Sequence, residues 1–243
     1  EKYPDKNGLI TPCLGPHAPD TCSKELLLRI ADMAQKYQVP ITTHLAQSQQ
    51  ELDRVQEVYG VSSTKLMREC GLLNDRLLAA HGEFLKETDI SELAKAKANI
   101  VHIPEGNAKA GSIADIKNIK KKGINVTIAT DNGAANMIEN MRMALVAGRI
   151  RNHCIAEPKP QEMLTMATVN GALALHMKDR IGSLEEGKLA DIVIVDYDNL
   201  HMTPCTNVVG NLVHLGLGND VETVIVDGKL VVNQGKVLAI EEK

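Results

Sequence analysis

Tryptophan is absent from the 243 residues, Phe84 is the single phenylalanine, and four tyrosines complete the aromatic set. A surface that holds single-stranded nucleic acid stacks bases on aromatic rings, so this composition excludes that class. A basic surface is missing as well, because the formal net charge is -4 and Lys120-Lys121-Lys122 is the longest cationic run. That trio precedes Gly123 and reads as the solvated last turn of a helix. No apolar stretch approaches the ~18 to 20 residues of a membrane span. Cys13, Cys22, Cys70, Cys154 and Cys205 are odd in number and show no paired metal spacing, the pattern of reduced thiols in a cytoplasmic protein. No Gly-x-Gly-x-x-Gly follows a strand, which removes the dinucleotide-binding fingerprint. With so few rings, aliphatic and methionine side chains must fill the core.

What is present is a series of short apolar runs that end in polar residues of one chemical kind. Ile41 to Leu45, after Pro40, contains His44; Leu77 to Ala80 ends in His81; Ile100-Val101 ends in His102; and Ile124 to Thr130 ends in Asp131. Each run is short, β-branched or aliphatic, and reads as a buried strand. A single histidine in such a strand is compatible with a core imidazole that has both nitrogens hydrogen-bonded. Several strands ending in His or Asp are harder to obtain from packing, because carboxylates are rarely buried unpaired. In a parallel α/β sheet or barrel the C-terminal strand ends are where ligands and metals are held.

Between these runs lie helical patterns. Ser23 caps Lys24 to Tyr37, and further helices are expected over Gln49–Val58, Ser63–Cys70, Asp89–Lys97 with Thr88 or Asp89 as cap, Asp115–Lys122, Met137–Arg151 and Pro160–Leu175. Strands starting near 9, 41, 77, 99 and 124 recur every ~29 residues, close to the ~31 of an eight-unit barrel. The first would cover Leu9 to Leu14. From Ile181 the pattern changes to strands at Asp191–Tyr197, Val221–Val226 and Lys229–Ile240, with Asp227-Gly228 as a hairpin turn and a helix from Thr206 to Leu215 capped by Thr206.

Gly15-Pro16-His17-Ala18-Pro19, Thr43-His44-Leu45-Ala46, Ala79-Ala80-His81, His102-Ile103-Pro104-Glu105-Gly106-Asn107 and Ala129-Thr130-Asp131 through Asn136 occur in this order, ahead of Ile181 to Asp191 and Ile192 to Val195. The ordered set resembles the amidohydrolase superfamily, in the branch that holds cytosine deaminase-like enzymes, methylthioadenosine/S-adenosylhomocysteine deaminases and triazine hydrolases. The resemblance implies an α/β fold: residues 1–180 as the C-terminal part of a (β/α)8 TIM barrel, strands 4 to 8, and residues 181–243 as the C-terminal strands of a small β-sandwich. It implies one divalent metal, zinc or iron, with His44 and Asp131 as ligands. Asp131 would also serve as base, His81 would polarise the leaving group or the water, and His17, Glu105 and Asn107 would contact substrate.

The implied activity is hydrolysis of a C–N bond in a small nitrogen heterocycle by a cytoplasmic homodimer. Alternatives are displacement of chloride or an alkylamine from a triazine-type ring, or a binding protein that kept the fold without its chemistry. Two features depart from the family pattern. No His-x-His occurs in the sequence, so the chain is expected to be the C-terminal portion of a longer polypeptide, partnered by the missing N-terminal portion of the same fold. The family's His-x-x-Glu is here His44-Leu45-Ala46-Gln47, and an amide hydrogen-bonds but cannot ferry a proton; Glu83 is a candidate substitute. Asp131 as a turn residue, Glu105 as a solvated loop acid, His17 as an idle loop residue and His102 as a structural imidazole stay open as plainer readings. His153, His176, His201 and His214 match no motif.

Overall fold

The computed structural model describes residues 10–238. The polar stretch 1–8, Leu9, and the end of the expected last strand at Ala239-Ile240 lie outside the described residues. Two compact units divide the chain, one of residues 1–102 and 114–126, the other of residues 103–113 and 127–243.

The first unit alternates strand and helix. Helix α1 (Lys24–Tyr37) starts on the Ser23 hydroxyl, which accepts from the Leu26 amide, and Gln38 ends it in the left-handed region. Strand β1 (Ile41–Leu45) follows, then α2 (Gln49–Tyr59) and α3 (Ser63–Glu69), β2 (Leu77–His81), α4 (Glu87–Lys95) and β3 (Asn99–His102). Strands β1 and β2 pair in parallel with Ile41 opposite Leu77 and His44 opposite Ala80; β3 continues the parallel sheet beside β2. Leu27, Ile41, Leu45, Leu66, Leu77 and Ile100 are fully buried, each contributing ~1.5 to 3 kcal/mol relative to exposure. Asn99 staples the sheet at its N-terminal edge: its amide donates to the Asp75 carbonyl at 3.0 Å, and its oxygen accepts from Asn125 at 2.9 Å.

Beyond β3 come α5 (Pro104–Lys109), α6 (Ile116–Lys121), β4 (Asn125–Ile128), α7 (Met137–Asn152), α8 (Pro160–Ala167) and α9 (Val169–Ala174), with β4 completing the sheet order β1-β2-β3-β4. The Thr127 hydroxyl donates to the Met166 carbonyl at 2.9 Å, tying β4 to α8. The C-terminal portion forms a separate antiparallel sheet, β5 (Ile192–Val195), β6 (Val221–Val226), β7 (Lys229–Asn233) and β8 (Lys236–Val237), preceded in part by α10 (Val208–Leu215).

Several expectations are corrected. Leu9 to Leu14 is no strand over its described part; only Leu14 bridges to Ile41, exchanging hydrogen bonds with Pro40 and Thr42. The segment holding Glu105 and Asn107 is a short helix rather than a loop, with Pro104 in its first turn, where a missing N–H costs nothing. Pro160–Leu175 is two helices, broken at Thr168 (φ -126°, ψ -86°), whose hydroxyl bonds back to the Leu164 carbonyl. The last strand breaks at Gln234-Gly235, both left-handed. Asn207, not Thr206, caps α10, accepting from the Gly210 amide.

The cap of α4 is also displaced. Lys86 occupies the cap position, while buried Asp89 accepts from the Lys86 amide at 3.1 Å and from the Ser62 hydroxyl at 2.9 Å. Asp89→Ala should therefore lower stability by ~1 to 2 kcal/mol, measured as the urea midpoint of the whole protein. Exposed Thr88→Ala, the other cap candidate, should stay within about 0.5 kcal/mol.

Candidate active site

At the C-terminal end of β1 and β2 three imidazoles gather. The His17 and His44 ring centroids are 4.7 Å apart and tilted; those of His44 and His81 are 5.4 Å apart and stacked. The His17 carbonyl fixes this corner, accepting from His44 Nδ1 at 2.5 Å, from the His44 amide at 3.1 Å and from the Thr43 hydroxyl at 3.3 Å. With Nδ1 donating to a carbonyl, the His44 lone pair resides on Nε2, the arrangement that metal-binding histidines use. The His17 ring itself is exposed and engages the Thr21 hydroxyl at 2.7 Å.

Strict alternation would put His81 on the side of Leu45, its partner in register. The His81 backbone is instead left-handed, φ 74°. That conformation costs ~1 to 3 kcal/mol in a residue with a Cβ, and it is what lets the ring stack on His44. Gly82 continues the left-handed turn at φ 67°. The Gly82 amide donates to the Leu45 carbonyl and the Phe84 amide to the Ala46 carbonyl, both at 3.0 Å, so the turn after β2 is locked onto the end of β1.

Gln47 has an exposed side chain. Its backbone amide is held by Glu51, a residue the sequence reading passed over. Glu51 is 3% exposed and accepts from the Ala46 amide at 2.9 Å and the Gln47 amide at 2.8 Å. The signal was available in Ser48-Gln49-Gln50-Glu51, a capping-box pattern. Ser48 does cap the Glu51 amide at 3.1 Å, and the glutamate reaches past it to the left-handed turn at Ala46, φ 51°.

His102, at the end of β3, is buried, and its Nδ1 has no hydrogen-bond partner. Burial, with the nearby His81 imidazole adding to it, pushes its pKa down to about 4, so the ring is neutral.

In the second unit Asp131 is exposed, three residues past β4, with a left-handed backbone (φ 55°) and its carboxylate accepting from the Asn132 amide at 2.7 Å. It lies beside α5: a methyl group at Gly106 would come within 3.4 Å of Asp131 Oδ2 and 2.9 Å of Ile103. Glu105 accepts from Lys109 Nζ at 2.5 Å and from Asn140 at 3.4 Å. The Lys109 ammonium, foremost, holds the Glu105 carboxyl below its ordinary range. Asn107 is buried, as is Asn140 on α7, whose Oδ1 has no partner. The sequence reading missed Asn140 because a single amide inside a helical run carries no pattern.

Among the described residues no group of three or more His, Cys, Asp or Glu side chains is arranged to hold a metal ion. His44, with Nδ1 committed to a carbonyl, fits a ligand individually. No helix of the described residues is long and apolar enough to cross a membrane.

Residues 2–231 match the amidohydrolase family. The chain is 36% identical over 240 residues to a 5-methylthioadenosine/S-adenosylhomocysteine deaminase of Pyrococcus furiosus, covering 97% of this chain and 57% of that protein. It is 40% identical over 240 residues to the protein of the same name from Moorella thermoacetica, covering 96% and 56%. Among solved structures it is similar to an adenosine deaminase from Xanthomonas campestris with bound zinc, at TM-score 0.93 and 30% identity, covering 97% of this chain and 55% of that one. An atrazine chlorohydrolase from Arthrobacter aurescens, complexed with zinc, is similar at TM-score 0.89 and 26% identity, covering 98% and 54%. The chain thus spans about half the length of the relatives it matches, and its mixed α/β fold is part of such a barrel plus a sheet.

His102 gives a sign for the pH dependence of stability. Its folded pKa of about 4 lies below the ordinary 6.5, so between these values only the unfolded chain takes up the proton. Its stabilising contribution is complete above pH 6.5 and is lost as the pH falls toward 4. The expected loss is about 3 kcal/mol, read as a falling urea midpoint, and His102→Gln should flatten that slope.

Proposed function

The chain belongs to the amidohydrolase family, and from that membership together with the His17–His44–His81 cluster we propose that it hydrolyses the C–N bond of an amine-bearing nitrogen heterocycle. The observation that carries the reading is the His44 ring, fixed through Nδ1 so that Nε2 is left as a donor atom, stacked against His81. An aminopurine nucleoside is the substrate class to test first, since the curated relatives are named as deaminases of adenosine derivatives.

His44 and Asp131 would be ligands of one divalent ion, zinc in the first instance because similar structures carry it, with iron as the other candidate. Such an ion, when bound, lowers the pKa of water and supplies the nucleophile at neutral pH. The Asp131 carboxylate accepts the proton that the attacking water gives up. His81 hydrogen-bonds the departing nitrogen, Asp131 passes its proton on to that nitrogen as the C–N bond breaks and ammonia leaves, and the proton of the new hydroxyl ends on the ring nitrogen, giving the lactam. His17, Glu105 and Asn107 contact the substrate, and the Gln47 amide hydrogen-bonds the ring without transferring a proton.

The rest of the ligand set comes, in this reading, from a portion of the fold outside residues 1–243, as the coverage of about half of each relative suggests. Residues 1–180 would be barrel and 181–243 part of the sandwich. A homodimer in the cytoplasm completes the proposal; the cytoplasm is supported by five cysteines that are all free. A second reading, displacement of chloride or an alkylamine from a triazine-type ring, is favoured by one feature: Gln47 removes the acid that ring-nitrogen protonation would use. Similarity to an atrazine chlorohydrolase accompanies it.

Two substitutions in the whole protein separate these readings. Asp131→Asn should cut ammonia release from adenosine derivatives by ~10² to 10⁴-fold. Retained activity would remove the base from Asp131. Gln47→Glu should raise deamination by at least ~10-fold if a weakened proton shuttle limits it; an unchanged or lower rate, with triazine turnover present, favours the second reading.

A further inference from the structure

Glu83 is a carboxylate out of place. Its side chain is 2% exposed, Oε1 lies 3.8 Å from His81 Nδ1, and Oε2 is buried with no hydrogen-bond partner. A buried charged oxygen without a donor costs on the order of several kcal/mol. Nothing about the sheet requires it, since β2 ends two residues earlier. The chain nevertheless spends two consecutive left-handed residues, His81 and Gly82, on the turn that folds Glu83 back beside the His81 ring. A Cβ on Gly82 would meet Leu85 at 3.1 Å, and the turn's amides at Gly82 and Phe84 are pinned to β1. The conformation is therefore held from both sides.

We propose that Glu83 is a positioning residue for His81, the acceptor that keeps the proton on Nδ1 and so fixes which ring nitrogen faces the reacting group. At 3.8 Å the contact is too long for a direct hydrogen bond in the resting geometry, and positioning requires the two groups to close to hydrogen-bond distance. The pairing has the logic of the carboxylate that orients a histidine in acid–base catalysis, where the acid sets tautomer and direction and the imidazole touches the substrate. It also places the acidic group missing at Gln47 on the neighbouring strand end, acting through the stacked imidazole rather than on the substrate. The inference deepens the hydrolase reading and rests on it for the role of His81.

Selective 15N labelling of histidine in the whole protein, zinc-loaded and metal-free, reads the proton position directly, with the His81 signal assigned by its loss in His81→Asn. In the unaltered protein the Nδ1–H tautomer of His81 should dominate by at least about tenfold. Glu83→Leu, similar in bulk, should reduce that bias at least about fivefold, whereas Glu83→Gln, which keeps an acceptor, should preserve most of it. A predominant Nε2–H tautomer in the unaltered protein overturns the proposal without recourse to any variant, as does a bias that Glu83→Leu leaves unmoved. A protein inert on every amine substrate but showing the expected tautomer shift keeps the positioning role and removes the deaminase reading. An active protein with an indifferent tautomer does the reverse.

Discussion

Parallel pairing of β1 with β2 is the constraint on which the candidate site depends. It sets His44 opposite Ala80, a residue with almost no side chain, and so opens the space into which the neighbouring imidazole swings. His81, one residue further on, would belong to the opposite side of the sheet by alternation. The left-handed backbone at His81 undoes that alternation, at a local cost of ~1 to 3 kcal/mol. The register thus supplies the place and the strained turn supplies the direction.

Strain at that rim is held by groups that do not themselves carry chemistry. The His17 carbonyl accepts three hydrogen bonds from Thr43 and His44. The Glu51 carboxylate covers the two amides left open by the left-handed turn at Ala46. Backbone amides of Gly82 and Phe84 then lock the turn after β2 onto the same loop. A buried carboxylate is expensive unless its oxygens find donors, and Glu51 has both satisfied while Glu83 has one oxygen without a donor. The first is explained by the fold alone. The second is explained by what the fold presents.

The elements that a local pattern specifies were legible in the sequence. Ile41–Leu45 and Leu77–His81 are strands with the bounds read from their apolar runs, and α1 begins on the Ser23 hydroxyl and ends at Tyr37. The misses have different causes, two local and one tertiary. The segment around Glu105 forms a helix where Pro104 starts a turn that its polar composition did not advertise. Thr88 or Asp89 was expected at the cap of α4; Lys86 takes that position, and Asp89 lies at the third helical residue, where its carboxylate accepts from the Lys86 amide and from the hydroxyl of Ser62, the cap residue of α3. Thr168 breaks a continuous helical pattern through a hydroxyl bond to its own chain. Of the site, the proximity of His44 and His81 followed from strand ends in a parallel sheet, while His17 joins them from a segment bridged to β1 at Leu14. Glu51 was signalled by the Ser48-to-Glu51 capping-box spacing but its reach to the Ala46 and Gln47 amides was not, and Asn140 and the burial of Glu83 depend on packing that no spacing rule encodes.

The account stands on His44 being a metal ligand through Nε2. Anomalous diffraction at the zinc edge from crystals of the whole, zinc-loaded protein tests it most directly. The account predicts a peak about 2.0 to 2.1 Å from His44 Nε2, with Nδ1 still donating to the His17 carbonyl. A zinc peak bound elsewhere with the His44 ring rotated away, or a stoichiometrically metal-free protein that retains full activity, would contradict it.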